Sequence, residues 1–84
     1  MDMLKDIKDI KKDILDKFRE IDAEEDDILP VRWLTEEYFL NLNTYEKKIF
    51  KKALKELESQ GLVANIKRPI LNLKLTEKGA NLIN

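Results

Sequence analysis

The chain has 84 residues, of which 43 % are hydrophobic and 39 % charged, and it contains neither cysteine nor histidine. A chain of this length forms one small domain, residues 1–84, near the lower size limit for a self-supporting core. The missing residue types exclude disulfides, thiolate metal sites and histidine-dependent catalysis. The single serine, Ser59, has no histidine to activate it. We therefore expect no enzyme activity, no cofactor and no metal.

The net charge of −1 hides an uneven distribution along the chain. Residues 1–42 carry 7 basic and 13 acidic side chains, whereas residues 43–84 carry 9 basic and 4 acidic ones. This polarity suits a protein that presents one face to an anionic partner. The charged N-terminus and the lack of a long apolar run predict a cytoplasmic protein without a signal peptide, a transmembrane segment or a membrane partner.

The first predicted element is an amphipathic helix over residues 1–21. Apolar residues recur there every three or four positions, at Leu4, Ile7, Ile10, Ile14, Phe18 and Ile21. This spacing favours a helix packed on its own domain. The four isoleucines of this set also fit heptad a and d positions. A homodimer that forms through this helix is therefore the alternative.

Two short elements are predicted next. Residues 28–33 indicate a short strand, in which Pro30 suits an edge position, and residues 35–41 indicate a helix capped by Thr35. A helix that begins at Pro30 is the alternative. Trp33 and Tyr38 are interpreted as core residues and not as base-stacking surfaces, because they lie among other apolar residues.

A longer helix is predicted over residues 44–60. Asn43 and Glu46 form a capping-box pattern at its start, and Gly61 suits its end. At about 100° per residue, its lysines fall within an arc of about 140°, opposite the apolar residues; they are Lys47, Lys48, Lys51, Lys52 and Lys55. They must face water or a partner, and a phosphate backbone would relieve their mutual repulsion.

The pattern then changes from a helical period to alternation, which predicts a β-hairpin over residues 62–75. Its two runs are joined through Lys67, Arg68 and Pro69. Thr76 then caps a last helix over residues 77–83 that buries Ala80, Leu82 or Ile83.

This order of elements resembles the winged helix-turn-helix superfamily of DNA-binding proteins. The stretch "ALKELESQGLV" (53–63) is similar to the end of many recognition helices that run into a first wing strand. The stretch "LKLTEKGANLI" (73–83) is similar to the segment after the wing in antibiotic-resistance-type and phenolic-acid-type regulators. The resemblance covers residues 28–84 and identifies no specific family. It implies an α+β winged helix, with a three-helix core, a β-hairpin wing and a short C-terminal helix.

The resemblance further implies that residues 44–60 are a recognition helix in the DNA major groove, with the wing tip against the minor groove or backbone. The implied nucleic-acid contacts are Asn43, Thr44, Tyr45, Lys47, Lys48, Lys51, Lys52, Lys67 and Arg68. Lysines mainly position a protein on phosphates, so sequence reading would rest on Asn43, Thr44, Tyr45 and a lysine or two. Arg68 is the candidate for a minor-groove contact.

We therefore expect a small regulator of transcription, of prokaryotic, plasmid or phage type, that binds double-stranded DNA. A homodimer through the first helix would set the spacing of its half-sites. The alternative is a winged-helix protein–protein interaction module that does not bind DNA, which the acidic N-terminal half favours.

Overall fold

A computed structural model of the protein describes residues 5–66 and 72–84. The helical elements are α1 (Ile7–Glu20), a π-helical turn (Trp33–Tyr38) that continues into a 3-10 turn (Phe39–Asn41), α2 (Thr44–Ser59) and α3 (Glu77–Ile83). We call the π-helical and 3-10 turns together the π segment. The strands β1 (Val63–Ile66) and β2 (Asn72–Leu75) pair antiparallel. The fold is thus α+β, as predicted.

The first helix, α1, packs onto the chain's own core. Asp6 caps its start in a capping box with Asp9, which satisfies backbone N–H groups of the first turn. Ile10, Ile14 and Phe18 are fully buried, so the interpretation of an ordinary core stripe is confirmed. Because Ile10 and Ile14 are enclosed within the chain, neither is exposed for a dimer seam; a homodimer through the rest of the helix stays a prediction.

The prediction of a strand over residues 28–33 is wrong. Ile28 alone forms a bridge, to Lys74 of β2, and the neighbouring Leu29 N–H donates to the Leu73 carbonyl at 2.9 Å. After Pro30 the backbone is helical, and the Leu34 N–H donates to the Pro30 carbonyl at 3.1 Å. Proline presets the backbone for a first helical turn, and the alternative start at Pro30 is therefore correct.

Thr35 is not the N-cap of a helix over residues 35–41, so that prediction is also wrong. It lies inside the π segment, and its hydroxyl donates to the Val31 carbonyl at 2.8 Å. The segment nevertheless ends at Asn41 and packs its rings on the core. The Trp33 and Tyr38 rings stack with centroids 5.0 Å apart, and Phe39 meets Phe50 of α2 edge-on at 5.0 Å.

The long helix α2 has the predicted caps at both ends. Asn43 accepts from the Glu46 N–H at 2.8 Å, and the Glu46 carboxylate accepts from the Asn43 N–H at 2.9 Å. At the other end Gly61 has a φ of +76°, the left-handed conformation that glycine adopts freely. The apolar side of α2 is buried through Ile49, Phe50, Ala53, Leu54 and Leu57.

The two strands place one face towards the core. Val63 pairs with Leu75 and Asn65 pairs with Leu73, and Val63, Leu73 and Leu75 are buried. Asn65 therefore faces the same side as these three apolar residues. The connection predicted through Lys67, Arg68 and Pro69 lies outside the described residues.

The "LTEKG" stretch fastens α3 to the turn after α2. Thr76 caps α3 as predicted, with its hydroxyl 3.0 Å from the Gly79 N–H and 2.9 Å from the Leu62 carbonyl oxygen. A Cβ atom added at Gly79 would lie 2.2 Å from that same carbonyl oxygen. Glycine is thus required by close backbone contact. Of the three residues predicted to be buried, Ala80 and Ile83 are, whereas Leu82 is exposed.

We expect Gly79→Ala to lower the free energy of unfolding by about 3 kcal/mol, because a methyl group is forced against backbone that cannot move away cheaply. Gly61→Ala is the comparison: its Cβ would meet only the Lys78 side chain at 3.7 Å, so the strain of a positive φ costs about 1 kcal/mol. Urea denaturation followed by Trp33 fluorescence measures both. An equal or smaller loss for Gly79→Ala would contradict this packing.

Candidate nucleic-acid interface

Five lysines of α2 form one exposed surface, which we call the lysine row: Lys47, Lys48, Lys51, Lys52 and Lys55. The apolar side of the same helix is buried, so the ammonium groups point away from the core. Lys47 is partly buried, and its ammonium lies 5.5 Å from the centre of the Phe39 ring. The other four are exposed to solvent.

The lysine row makes no ion pair with any residue of the described ranges. The contrast with α1 is direct, because three of its four lysines are paired: Lys11 with Glu56, Lys12 with Asp16 and Lys17 with Glu20. Among the described residues, most cations of α1 are thus paired with carboxylates and those of the lysine row are not. An unpaired row of positive charge is suited to a polyanion.

The N-terminal end of α2 is held rigidly by Glu46. Its carboxylate accepts from the Asn43 N–H and, across the fold, from the Lys5 N–H at 3.0 Å. These hydrogen bonds, the one from Asn43 first, hold the pKa of Glu46 below its usual value. The start of α2 is therefore tied to the chain just before α1.

The same cap restricts what Asn43 can read. Its side-chain oxygen accepts from the Glu46 N–H, which fixes the orientation of the amide and leaves only one lone pair of the oxygen for a contact that uses both the oxygen and the NH₂ group on adenine. Thr44 and Tyr45 are exposed, Tyr45 by 52 %. Of the three residues predicted to read bases at this end, only these two present their side chains freely.

A groove runs along one flank of the lysine row, with a volume of about 740 Å³. We call it the α2 groove. Its apolar surface comes from the π segment and α2, its rim from four of the lysines, and its far wall from β1. The lining residues are Leu34, Thr35, Phe39, Lys48, Phe50, Lys51, Lys52, Leu54, Lys55, Glu58 and Asn65.

The acidic side of the molecule lies elsewhere. Helix α1 joins α2 on the flank of Glu46 and Glu56, through the Lys5 N–H and the Lys11 ammonium. Trp33 and Tyr38 pack against the core there and line a shallow depression with Asp13, Asp16 and Glu20. Burial and a 2.6 Å hydrogen bond to Asp13 raise the pKa of the Tyr38 phenol. Carboxylates around these rings disfavour base stacking beside phosphates.

The predicted contacts are thus only partly brought together. Asn43, Thr44, Tyr45 and the first four lysines of the row share one side of α2, whereas Lys67 and Arg68 fall outside the described residues. Lys55 and Asn65, which line the α2 groove, were not among the predicted contacts. The alternation of residues along β1 could have indicated Asn65, because it places this polar side chain on the same face of the strand as the apolar Val63.

Comparisons with known proteins supply no relative: no family model, no curated protein and no solved structure matches the chain. Within residues 5–66 and 72–84, no three or more Asp and Glu side chains are grouped so as to hold a metal ion. No helix in those ranges has the length and apolarity to cross a bilayer. The features of the protein that indicate a function are therefore the lysine row, the caps of α2 and the α2 groove.

We expect Glu46→Gln to lower the free energy of unfolding at pH 7 by about 1 kcal/mol, because the amide accepts hydrogen bonds more weakly than the carboxylate. The pKa of Glu46 is depressed in the folded protein, so its contribution is present above the unfolded pKa of about 4.3 and is lost as the pH falls through the folded value. The gap to the wild type should therefore shrink in acid.

Urea denaturation at pH 7 and at about pH 3.5 measures this gap. Glu58→Gln is the matched control, since Glu58 lies on the same helix, is exposed, and its carboxylate makes no hydrogen bond to any described residue; it should change little at either pH. If Glu46→Gln has the same free energy of unfolding as the wild type at pH 7, or if the difference stays constant in acid, the charged carboxylate does not stabilise the start of α2.

Proposed function

We propose that the protein is a small winged-helix DNA-binding protein and a regulator of transcription, of prokaryotic, plasmid or phage type. In this proposal α2 is the recognition helix and enters the major groove. The observation that carries it is the lysine row, which no carboxylate of residues 5–66 and 72–84 pairs with, on a helix whose other side is buried in the core. The order α1, π segment, α2, β1, β2, α3 supports it.

The dimensions of the row suit duplex DNA. From Lys47 to Lys55 the helix rises about 12 Å, and over that length of axis a duplex carries about seven phosphate charges, both strands counted. Each lysine that reaches a phosphate releases condensed counterions, so affinity comes mainly from salt-dependent contacts. The mutual repulsion of the five ammonium groups is relieved in the complex.

Sequence discrimination by α2 is weak in this proposal. The helix carries no arginine, the residue that most often reads guanine, and the Asn43 oxygen is held in the cap. Thr44 and Tyr45 remain as base contacts at the entering end. For the wing tip we keep the contacts that the resemblance implies. In this proposal Arg68 enters the minor groove, and Lys67 contacts the DNA backbone beside it.

The location of the acidic residues is compatible with DNA on the lysine row. Helix α1 lies on the flank of Glu56, and two of its four carboxylates are paired with its own cations: Asp16 with Lys12 and Arg19, and Glu20 with Lys17. A homodimer through α1, set away from the lysine row, would place two such rows on neighbouring turns of DNA.

Titration of a fluorescent DNA duplex at several salt concentrations between about 50 and 200 mM tests the proposal. We expect wild-type affinity to fall steeply with salt. Lys48→Glu/Lys52→Glu should weaken binding more than tenfold and make the slope of log K against log salt shallower by about 2, one unit for each lost phosphate contact.

Lys8→Glu/Lys78→Glu is the control, because it makes the same change in net charge at exposed lysines on α1 and α3. It should keep most of the wild-type slope. Wild-type protein that does not bind at low salt would refute the proposal and favour an interaction module without DNA binding. Equal losses in both double variants would refute the role of the lysine row.

A further inference from the structure

Beyond DNA, we propose that the α2 groove docks an acidic amphipathic helix of a partner protein, with leucine-type side chains that enter the groove and carboxylates along the flank of that stripe that faces the lysines. This inference rests on the groove itself and does not depend on DNA binding. Three features of the groove carry it: its apolar surface, the charge of its rim and one unpartnered polar atom in its wall.

The apolar surface suits aliphatic side chains. Leu34 and Leu54 form the floor of the groove but are only 1 % and 5 % exposed. The accessible apolar surface comes mainly from the partly buried Phe39 ring and from the methylene stems of the rim lysines, whose ammonium groups stay in water. A volume of about 740 Å³ lies within the range of sites that enclose a ligand or an anchoring side chain. Duplex DNA has no apolar group that would fill such a space.

The rim calls for several negative charges. Lys48, Lys51, Lys52 and Lys55 stand along it, against the single acidic residue Glu58. A small molecule with one carboxylate would leave most of these ammonium groups without a partner. A helix with glutamates on successive turns matches the row along its length, because both helices repeat every 3.6 residues.

Single-stranded nucleic acid also combines charge with apolar rings, but among the described residues that line the groove only the Phe39 ring is accessible to a base. Phe50 is 3 % exposed. The Phe39 ring already meets Phe50 edge-on and lies 5.5 Å from the Lys47 ammonium. Stacking on aromatic faces is what holds bases in such proteins, so an aliphatic partner fits this groove better.

Asn65 supplies the third feature. Its side-chain oxygen is buried and accepts no hydrogen bond from the described part of the chain, although the residue lines the groove. A buried acceptor without a donor is unfavourable. Phosphates have no donor to offer, whereas the first turn of a helix has four unsatisfied backbone N–H groups. We place the N-terminus of the docked helix beside Asn65, whose amide turns towards the groove to accept from it, because in the free protein its oxygen is closed to solvent.

The test uses a fluorescein-labelled peptide of glutamates with leucines at every third or fourth position. Two control peptides have the same length: one has the same composition with leucines and glutamates alternating in blocks that break the helical pattern, and the other is all glutamate. We expect saturable anisotropy with the first peptide and at least tenfold weaker binding of both controls. Equal binding of the all-glutamate peptide would overturn the proposal, because charge alone would explain it.

Two variants locate the site. Asn65→Phe fills the groove without changing any charge and should weaken peptide binding at least tenfold, while binding of the DNA duplex stays within about twofold. Lys51→Glu/Lys55→Glu changes only exposed residues and should also abolish peptide binding; Lys8→Glu/Lys78→Glu should not. Circular dichroism melts check that each variant is folded.

Wild-type peptide affinity in folded Asn65→Phe would overturn the proposal. So would retained affinity in Lys51→Glu/Lys55→Glu, which answers the question even where Asn65→Phe does not fold. An oligothymidylate that displaces the peptide, binds more tightly and is lost in the same variants would assign the groove to single-stranded nucleic acid instead.

Discussion

The burial of one side of α2 is the constraint on which the other features of this protein depend. Phe50, Ala53 and Leu57 lie in the core, and the helix cannot rotate without exposing them. The Asn43–Glu46 box fixes its first turn, and Gly61 ends it. Because the rotation of α2 and both of its ends are fixed, the lysines can point only away from the core, and the α2 groove forms beside them.

This arrangement leaves like charges crowded on one surface, at a cost of a few tenths of a kcal/mol for each neighbouring pair. Elsewhere the chain avoids that cost, as Lys12 and Arg19 show by both pairing with Asp16. The proposed duplex and the proposed acidic helix both need Lys48, Lys51 and Lys52. The two partners would therefore exclude each other, and an acidic partner would release the protein from DNA.

Much of the fold follows from local sequence patterns. The caps at Asn43 and Thr76 follow from spacing alone, because each side chain accepts from the backbone N–H three residues further on. The buried stripe of α1 follows from its helical period, although α1 packs against the distant elements α2 and α3. The prediction of a strand around Pro30 is wrong because proline suits both an edge strand and a first helical turn. What decided between them was the packing of Leu34 and its neighbours on the core, which no local pattern reports.

The candidate site was less accessible to sequence analysis. The sequence shows the lysine row as a stripe, but that it makes no ion pair within the described part of the chain depends on where α1 places its carboxylates. The α2 groove is built from three separate segments. Asn65 becomes a candidate site residue only because the fold brings it to the same groove as Leu34 and Leu54. The need for Gly79 is likewise set by the Leu62 carbonyl, 17 residues earlier in the chain.

Amide chemical shifts of ¹⁵N-labelled protein, recorded while a DNA duplex is added, test the central claim most directly. If the lysine row is the DNA-binding surface, the largest changes will fall on residues 43–55, and the amides of α1 will change little. Changes centred on α1 or on the acidic connector at residues 22–27, or none at low salt, would contradict the account.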